Sequence, residues 1–126
     1  MDLVQGTVDW TNNGVFSNYN PPSRITNRRG RIAVKPNTNY VLSMDKPLNY
    51  CIGEFDLSTV PTSVAQWSST PVTQVSFRTG ANTRYIAISL KIDETTIIFA
   101  EDYKVQLEEG TTPTAYEPYR ETKCLS

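Results

Sequence analysis

The chain has 126 residues, about the length of a single domain, and its 12 Lys and Arg against 13 Asp and Glu give a formal net charge of −1. It contains no histidine, which excludes the triad hydrolases that use His as proton carrier and most catalytic zinc sites. The charge balance lacks the basic excess of a dedicated nucleic-acid binder, and no run of about 18 apolar residues predicts a membrane span.

Alternation of apolar and polar residues, the pattern of a β-strand that is buried on one face, recurs along the chain. No window of about 11 residues shows the spacing of an amphipathic helix. In chain order, the segments predicted as strands are residues 3–8, 31–35, 40–45, 48–57, 72–79, 84–92, 95–99 and 103–108. Apolar residues on both faces of residues 48–57 favour a central strand there.

Turn sequences separate these segments, among them Asn12-Asn13-Gly14, Lys35-Pro36-Asn37, Lys46-Pro47 and Gly80-Ala81-Asn82. A strand and a turn recur about every 8–12 residues, which is the spacing of a β-sandwich or a β-barrel. The long polar connections favour the sandwich. The sequence therefore predicts an all-β fold, an antiparallel sandwich of about eight strands.

Residues 84–92 show the clearest alternation. The two faces of this strand are Ile86, Ile88, Leu90 and Ile92 on one side and Tyr85, Ala87, Ser89 and Lys91 on the other. We expect the first face in the core and the second in solvent, as in a half-buried antiparallel strand. In residues 72–79, Val75 and Phe77 are expected to point inward.

The two cysteines, Cys51 and Cys124, lie far apart in the sequence. They do not make a disulfide framework, although a single bridge between them stays open. The N-terminal residues MDLVQGTVDW lack the positive start and apolar stretch of a secretory signal peptide. We expect one β-sandwich domain over residues 1–120 and a tail, or the beginning of a linker, over residues 121–126.

The segment QLEEGTTPTAYEPY, residues 106–119, contains the pattern Q-x-E-x-G-x-x-x-T-x-Y-x-P-Y. This pattern resembles the end of a jelly-roll domain found in tail, baseplate and appendage proteins of bacteriophages, and those domains look like carbohydrate-binding modules of the β-sandwich type. The segments IAVKPNTNYVLS, residues 32–43, and FRTGANTRYI, residues 77–86, are similar to the same family. The resemblance spans residues 25–119 and implies an antiparallel β-sandwich of jelly-roll type.

The residue types of the C-terminal pattern favour a structural role. Gly110 follows a predicted strand, where a positive φ is often needed, and Pro113 and Pro118 fix an extended path. Tyr116 and Tyr119 can each cover an edge of the sandwich with a ring. We therefore interpret the segment as a strap that closes the fold.

The resemblance implies a non-catalytic glycan-binding module of a phage virion protein that adsorbs to carbohydrate on the host cell surface. Its partners would be a host surface glycan or cell-wall polysaccharide and other virion proteins, with no nucleic acid and no membrane insertion. Its location would be the virion, in a tail or appendage assembled in the host cytoplasm. The alternatives are a structural spacer or decoration domain that contacts other virion proteins, and a module that holds a wall-degrading enzyme to its polymer. The segment of residues 15–31, at the front of this match, has no clear counterpart in the family, so no particular sugar is implied.

Trp67 is the first candidate for sugar binding, because an aromatic ring can stack on the apolar face of a sugar while polar neighbours bind its hydroxyl groups. It lies in the polar segment VAQWSST, residues 64–70, where alternation does not require a core tryptophan. Packing over a sheet edge is the other interpretation. Trp10 follows a weak strand, which favours core or edge packing, and Tyr19 lies in a loop between two asparagines.

A second group of candidates lies on predicted outward strand faces. Tyr85 shares such a face with Ser89 and Lys91, and a neighbouring strand would present Gln74 and Arg78 beside it. A polar sheet face with a tyrosine and an arginine is typical of a groove that binds carbohydrate. It is also typical of an ordinary solvated face, which is the interpretation we favour.

Four arginines cluster in the segment SRITNRRGR, residues 23–31. Because arginine binds carboxylate and phosphate bidentately, this segment is a candidate for contact with an anionic sugar or a wall-polymer phosphate. Salt bridges, a contact with a neighbouring phage subunit and a solvated hairpin tip at residues 27–30 are the alternatives.

The carboxylates do not support catalysis. Glycoside hydrolysis needs two carboxylates at a defined separation, and the adjacent pairs Glu101-Asp102 and Glu108-Glu109 would point to opposite faces of a strand. We therefore expect no enzymatic activity and no catalytic residue. No cofactor is expected apart from a candidate calcium ion, for which the Asp93-Glu94 turn could supply oxygen ligands. The sequence assigns no other metal ligand.

Overall fold

Ten antiparallel β-strands dominate the described part of the chain. A computed structural model describes residues 1–12, 14–17, 21–56, 63–64 and 67–118. Its strands are β1 (Leu3–Gln5), β2 (Val8–Asp9), β3 (Val15–Phe16), β4 (Ile25–Asn27), β5 (Ile32–Ala33), β6 (Asn39–Phe55), β7 (Ser63–Val64), β8 (Val72–Arg78), β9 (Tyr85–Lys91) and β10 (Val105–Glu109). A single turn of 3-10 helix spans Ala100–Asp102. The predicted all-β, antiparallel fold is confirmed.

The long strand β6 connects two layers. Its first half pairs with β8 and β10, and its second half pairs with β9 and β7. The register with β8 shifts between Ser43 and Leu48, and extra residues of this kind bend a strand so that it can pass from one sheet to another. The predicted turn at Lys46-Pro47 is therefore wrong. These two residues are exposed within a continuous strand, at a bulge where a proline removes no regular ladder hydrogen bond.

The two halves of β6 define a β-sandwich. Strands β8, β6 and β10 form one layer, and β1, β4, β9, β6 and β7 form the other, with β5 also paired to β9. The buried side chains that meet in the main core are Ile25, Leu42, Met44, Leu48, Ile52, Ile86, Ile88, Leu90, Ile98 and Val105. Most of them are inward positions of the alternating segments, so the apolar pattern determines which face of each strand points to the core.

Strand β9 differs from the prediction on its outward face. Ala87, Ser89 and Lys91, expected in solvent, are all buried, whereas Ile92, expected in the core, is 39% exposed just beyond the strand. The N-terminal segment covers most of this face, where Val8 packs with Ala87 in a second small core and Thr7 is hydrogen-bonded to Ser89. Trp67 lies against Lys91. Alternation identified the strand but not its cover, because the covering residues come from a distant part of the chain.

Strands β2 and β3 form a hairpin that supplies this cover. The small core contains Val8, Phe55 and Ala87, with Trp10 and Tyr85 packed against it. Gly30, with a φ of +78°, allows the loop between β4 and β5 to approach the hairpin, because an added Cβ would lie 2.5 Å from the backbone nitrogen of Phe16. The single strand predicted over residues 3–8 is thus two short strands, β1 and β2, of which the second belongs to the cover.

The C-terminal pattern fastens the chain to β10. The Glu108 carboxylate accepts hydrogen bonds from the backbone N–H of Thr114 at 3.1 Å and from its hydroxyl at 2.8 Å. The side-chain oxygen of Gln106 accepts one from the backbone N–H of Glu117 at 2.9 Å. Gly110 follows the strand with a φ of +119°. These contacts explain the spacing of the pattern, because they join its Gln and Glu positions on β10 to the segment that follows. The interpretation of the segment as a closing strap predicts such contacts.

The segment between β9 and β10 is irregular. Residues 95–99, predicted as a strand, form none, and Ile97 and Phe99 are 57% and 52% exposed. No helix of the described residues combines the length and hydropathy that crossing a bilayer would require. Tyr119 and Cys124, like the whole tail from residue 121, lie outside the described residues.

Candidate functional site

Two largely buried cations lie side by side on the outer face of the layer that contains β9. Lys91 is the last residue of β9 and Arg24 directly precedes β4, and their side chains are 9% and 15% exposed. Since Ile25 pairs with Leu90 across the two antiparallel strands, Arg24 lies opposite Lys91. A buried charge is unfavourable unless it is paired, so the groups that contact these cations determine the chemistry of the site.

Trp67 packs against both cations. Its ring centroid lies 4.2 Å from Lys91 Nζ and 5.1 Å from Arg24 Cζ, within the range of cation–π attraction. The next residue holds it at the edge of β6: the backbone N–H of Ser68 donates to the carbonyl oxygen of Tyr50 at 2.9 Å, and the Ser68 hydroxyl accepts from the Tyr50 N–H at 3.0 Å. Trp67 is therefore a half-buried, positioned ring at a sheet edge.

Glu94 supplies the carboxylate that both cations share. Its Oε2 accepts a hydrogen bond from Arg24 Nη2 at 2.6 Å, and its Oε1 accepts one from Lys91 Nζ. The hydrogen bond from Lys91, followed by that from Arg24, lowers the pKa of Glu94 to about 2. The carboxylate is thus ionised at neutral pH, although its side chain is 67% exposed.

Arg24, Trp67 and Glu94 line a cleft of about 260 Å³, which we call the tryptophan cleft. Its lining residues are Thr7, Val8, Trp10, Pro21, Ser23, Arg24, Trp67 and Glu94. Lys91 is not part of this lining but contacts Trp67 and Glu94. Indole rings, hydroxyl groups, a guanidinium and a carboxylate together can stack on a sugar ring and hydrogen-bond to its hydroxyl groups. Pockets for drug-sized ligands measure roughly 300–1,000 Å³, so this cleft lies just below that range.

The sequence identified only part of this cleft. It singled out Trp67 and Trp10, and the structure places both in the same lining although they are distant in the chain. Thr7 and Ser23 have no distinguishing signal in the sequence, and Lys91 was expected in solvent. The fold, which no local pattern reveals, brings Thr7 and Ser23 into one lining with the two tryptophans. It also brings Lys91 against the ring of Trp67.

The remaining candidates lie elsewhere. Gln74 and Arg78 are exposed on β8, which pairs with the first half of β6, whereas Tyr85 lies on β9, which pairs with the second half. The predicted shared face of Tyr85 with Gln74 and Arg78 is therefore wrong, because the two strands belong to different layers. Tyr85 is half-buried, and Arg31 Cζ lies 4.0 Å from its ring centroid. Tyr19 lies outside the described residues.

The arginines of residues 23–31 do not form one site. Arg24 lines the tryptophan cleft, Arg28 Nε pairs with an Asp2 carboxylate oxygen at 2.9 Å, and Arg29 is exposed. The turn at residues 27–30 is present, but it does not close a hairpin, because β4 and β5 both pair with β9. Only one arginine of the cluster therefore contributes to the cleft.

The candidate calcium ligands are both engaged by the chain itself. The Asp93 carboxylate accepts hydrogen bonds from the backbone and hydroxyl groups of Thr95 and Thr96, and these, first the Thr96 hydroxyl, lower its pKa. Glu94 is shared by the two cations of the cleft. Within the described ranges, no group of three or more His, Cys, Asp or Glu side chains could hold a metal ion.

A wider cavity of about 680 Å³ lies beside the N-terminal strand. Phe99, Tyr103 and Tyr116 contribute aromatic rings to its lining, and Phe99 and Tyr116 are exposed. The described residues that line it include no tryptophan and no buried charged side chain. The convergence of rings and buried charges therefore favours the tryptophan cleft as the candidate site.

The chain matches no protein-family model, no curated protein and no solved structure. What the protein does must therefore be argued from the chemistry of its own cleft.

Proposed function

We propose that the chain is a non-catalytic carbohydrate-binding module and that the tryptophan cleft is its binding site. The observation that supports this most is the presence of Trp10 and Trp67 in one cleft with Arg24 and Glu94. Indole rings stack on the apolar face of a sugar. The guanidinium can donate hydrogen bonds to its hydroxyl groups.

The cleft is held in place before any ligand binds. Trp67 is fixed by two cations and by the backbone contacts of Ser68 with Tyr50, so little side-chain entropy is lost when a sugar stacks on it. A site of this size binds weakly by itself, and many linked copies raise the overall affinity. In the setting that the sequence resemblance implies, a phage tail, baseplate or appendage would display such copies to host surface glycan or cell-wall polysaccharide.

The electrostatics of the cleft favour binding over catalysis. Glu94 is the only carboxylate among the described residues that line it, and hydrolysis of a glycosidic bond needs two. Since the two cations lower the pKa of Glu94 to about 2, it carries no proton near neutral pH that a general acid could donate.

A structural role in a virion is the competing proposal. Ile97, Phe99 and Tyr116 are exposed apolar side chains outside the tryptophan cleft, and exposed apolar surface is typical of sites that contact other proteins. Such a role predicts no affinity for saccharides, so one binding experiment separates the two proposals.

The test is a glycan and cell-wall array probed with a multivalent form of the protein. The variant Trp67→Leu removes the indole but keeps an apolar side chain, and Phe99→Ala removes an exposed aromatic ring of the wider cavity. We expect wild type and Phe99→Ala to bind the same saccharides, and Trp67→Leu to lose at least about tenfold in affinity, since stacked aromatic anchors dominate such interfaces. Thermal unfolding establishes that both variants remain folded.

The absence of any binding by the folded multivalent protein would overturn the proposal in favour of a structural role. Loss of binding with Phe99→Ala and not with Trp67→Leu would move the site to the wider cavity.

A further inference from the structure

The charge balance of the tryptophan cleft indicates the class of saccharide, an inference that rests on the proposed function. Among the described residues, Arg24 and Lys91 both form ion pairs with the carboxylate of Glu94. Lys91 also contacts the ring of Trp67, and a ring face attracts a cation without neutralising it. These three described side chains, Arg24, Lys91 and Glu94, therefore carry one positive charge more than negative.

The three charged groups differ in how firmly they are held. Lys91 and Arg24 lie at the ends of paired strands, with side chains 9% and 15% exposed. Glu94 lies on the exposed bend after β9, and its side chain is 67% exposed. The free-energy cost of moving the Glu94 carboxylate fully into water is small, because it is already exposed. Leaving the two largely buried cations without an anion is unfavourable, so another anion must take its place.

We propose that the cleft binds acidic saccharides, and that a carboxylate or phosphate group of the ligand replaces Glu94 on Arg24 and Lys91 while the sugar ring lies against Trp67. The Arg24 guanidinium can bind either anion through two parallel hydrogen bonds. Its second nitrogen, Nη1, donates to the Ser23 hydroxyl at 3.0 Å, which fixes its orientation. The low exposure of both cations strengthens their attraction for an incoming anion.

The test compares acidic saccharides with neutral partners of the same size by calorimetric titration. The first pair is an oligogalacturonide and its carboxyl-reduced form, and the second is glucose 6-phosphate and glucose. Each is titrated into wild type, Glu94→Gln and Arg24→Gln at about 50 and 300 mM salt. Arg29→Gln is the matched control, because it removes an exposed arginine that does not line the tryptophan cleft.

We expect wild type to bind at least one acidic member more tightly than its neutral partner, with affinity that falls as salt rises. Glu94→Gln removes the internal competitor and should raise affinity for the acidic member about two- to fivefold, the range of partly exposed ion pairs. Arg24→Gln should abolish the preference, and Arg29→Gln should keep it. The pair that shows the preference distinguishes carboxylate from phosphate recognition.

Equal binding of the acidic and neutral members would overturn the inference and leave the proposed function standing. So would weaker acidic binding by Glu94→Gln, because Glu94 would then contact the sugar directly. If no saccharide binds, either in the titrations or on the glycan array, both this inference and the proposed function would be overturned.

Discussion

Glu94 combines an exposed position with a strongly lowered pKa, because Lys91 and Arg24 both donate hydrogen bonds to its carboxylate. Most exposed ion pairs contribute little to stability, since water screens them. Here one partner of each pair is largely buried, and removal of Glu94 leaves two cations without their carboxylate. The residue therefore has a structural role in the free protein even if a ligand displaces it.

The first prediction concerns the stability that these pairs contribute. Because folding lowers the pKa of Glu94 from 4.5 to about 2, its contribution is fully present above pH 4.5 and is lost as the pH falls through about 2. Thermal unfolding of wild type and Glu94→Gln from pH 7 to pH 2 should show a higher Tm for wild type at pH 7. The Tm difference should narrow below pH 4.5, and a constant difference down to pH 2 would contradict the assignment.

At Gly30, a positive φ and a close backbone contact both disfavour any larger side chain. An alanine there would have a φ of +78°, and its Cβ would lie 2.5 Å from the backbone nitrogen of Phe16. The second prediction is that Gly30→Ala lowers the free energy of unfolding by about 2–4 kcal/mol, from strain and overpacking together. Urea denaturation measures the loss. The control Arg29→Ala, at an exposed neighbouring position, should change the free energy of unfolding by less than about 0.5 kcal/mol. Equal losses in the two variants would contradict the close contact between Gly30 and Phe16.

Among the secondary-structure elements, the C-terminal strap agrees with its sequence-based prediction, whereas the bulged strand β6 does not. The C-terminal pattern correctly predicted a positive φ at Gly110, because a local backbone requirement leaves a local signature. The division of β6 into two strands at Lys46-Pro47 was wrong, because proline marks both turns and bulges. Only the pairing of β6 with β8 and β9 decides between them.

The third prediction tests the fastening of the strap. The hydrogen bonds from Gln106 and Thr114 lower the pKa of Glu108, which means that they stabilise its ionised carboxylate. Glu108→Gln replaces one oxygen by a donor and should speed hydrogen exchange of the Thr114 amide severalfold, since local opening becomes easier. In the control Glu109→Gln, which breaks an exposed pair with Lys35, exchange at Thr114 should stay as in wild type. Unchanged exchange in both variants would mean that the strap is held by other contacts.

At the scale of the whole molecule, the absence of histidine limits how binding can respond to pH. In the cleft, the Glu94 carboxylate stays ionised well below neutral pH, because the hydrogen bonds from Lys91 and Arg24 lower its pKa to about 2. The fourth prediction is that affinity for any bound saccharide varies by less than about twofold between pH 6 and 8. Calorimetric titration across this range measures it, and a steep loss would show that a group with a perturbed pKa controls binding.

The strand content and the inward faces of most strands could be predicted from the sequence, since each leaves a signal within a few residues. The favoured interpretation of Trp10 as a packing residue also agrees with its contact to the small core. The buried outer face of β9 could not be predicted, because the N-terminal hairpin that covers it is remote in the chain. For the same reason Tyr85 and the pair Gln74 and Arg78 were placed on one face although their strands belong to different layers.

An all-β fold follows from local properties of the chain, because period-two alternation and turn residues are visible in the sequence. The sequence also determined that histidine chemistry is absent. The contacts of Arg24 and Lys91 with Trp67, and the carboxylate of Glu94 that they share, depend on the folded structure. Strand pairing and burial act between distant segments, so a charged residue is solvated or buried according to what those segments place over it.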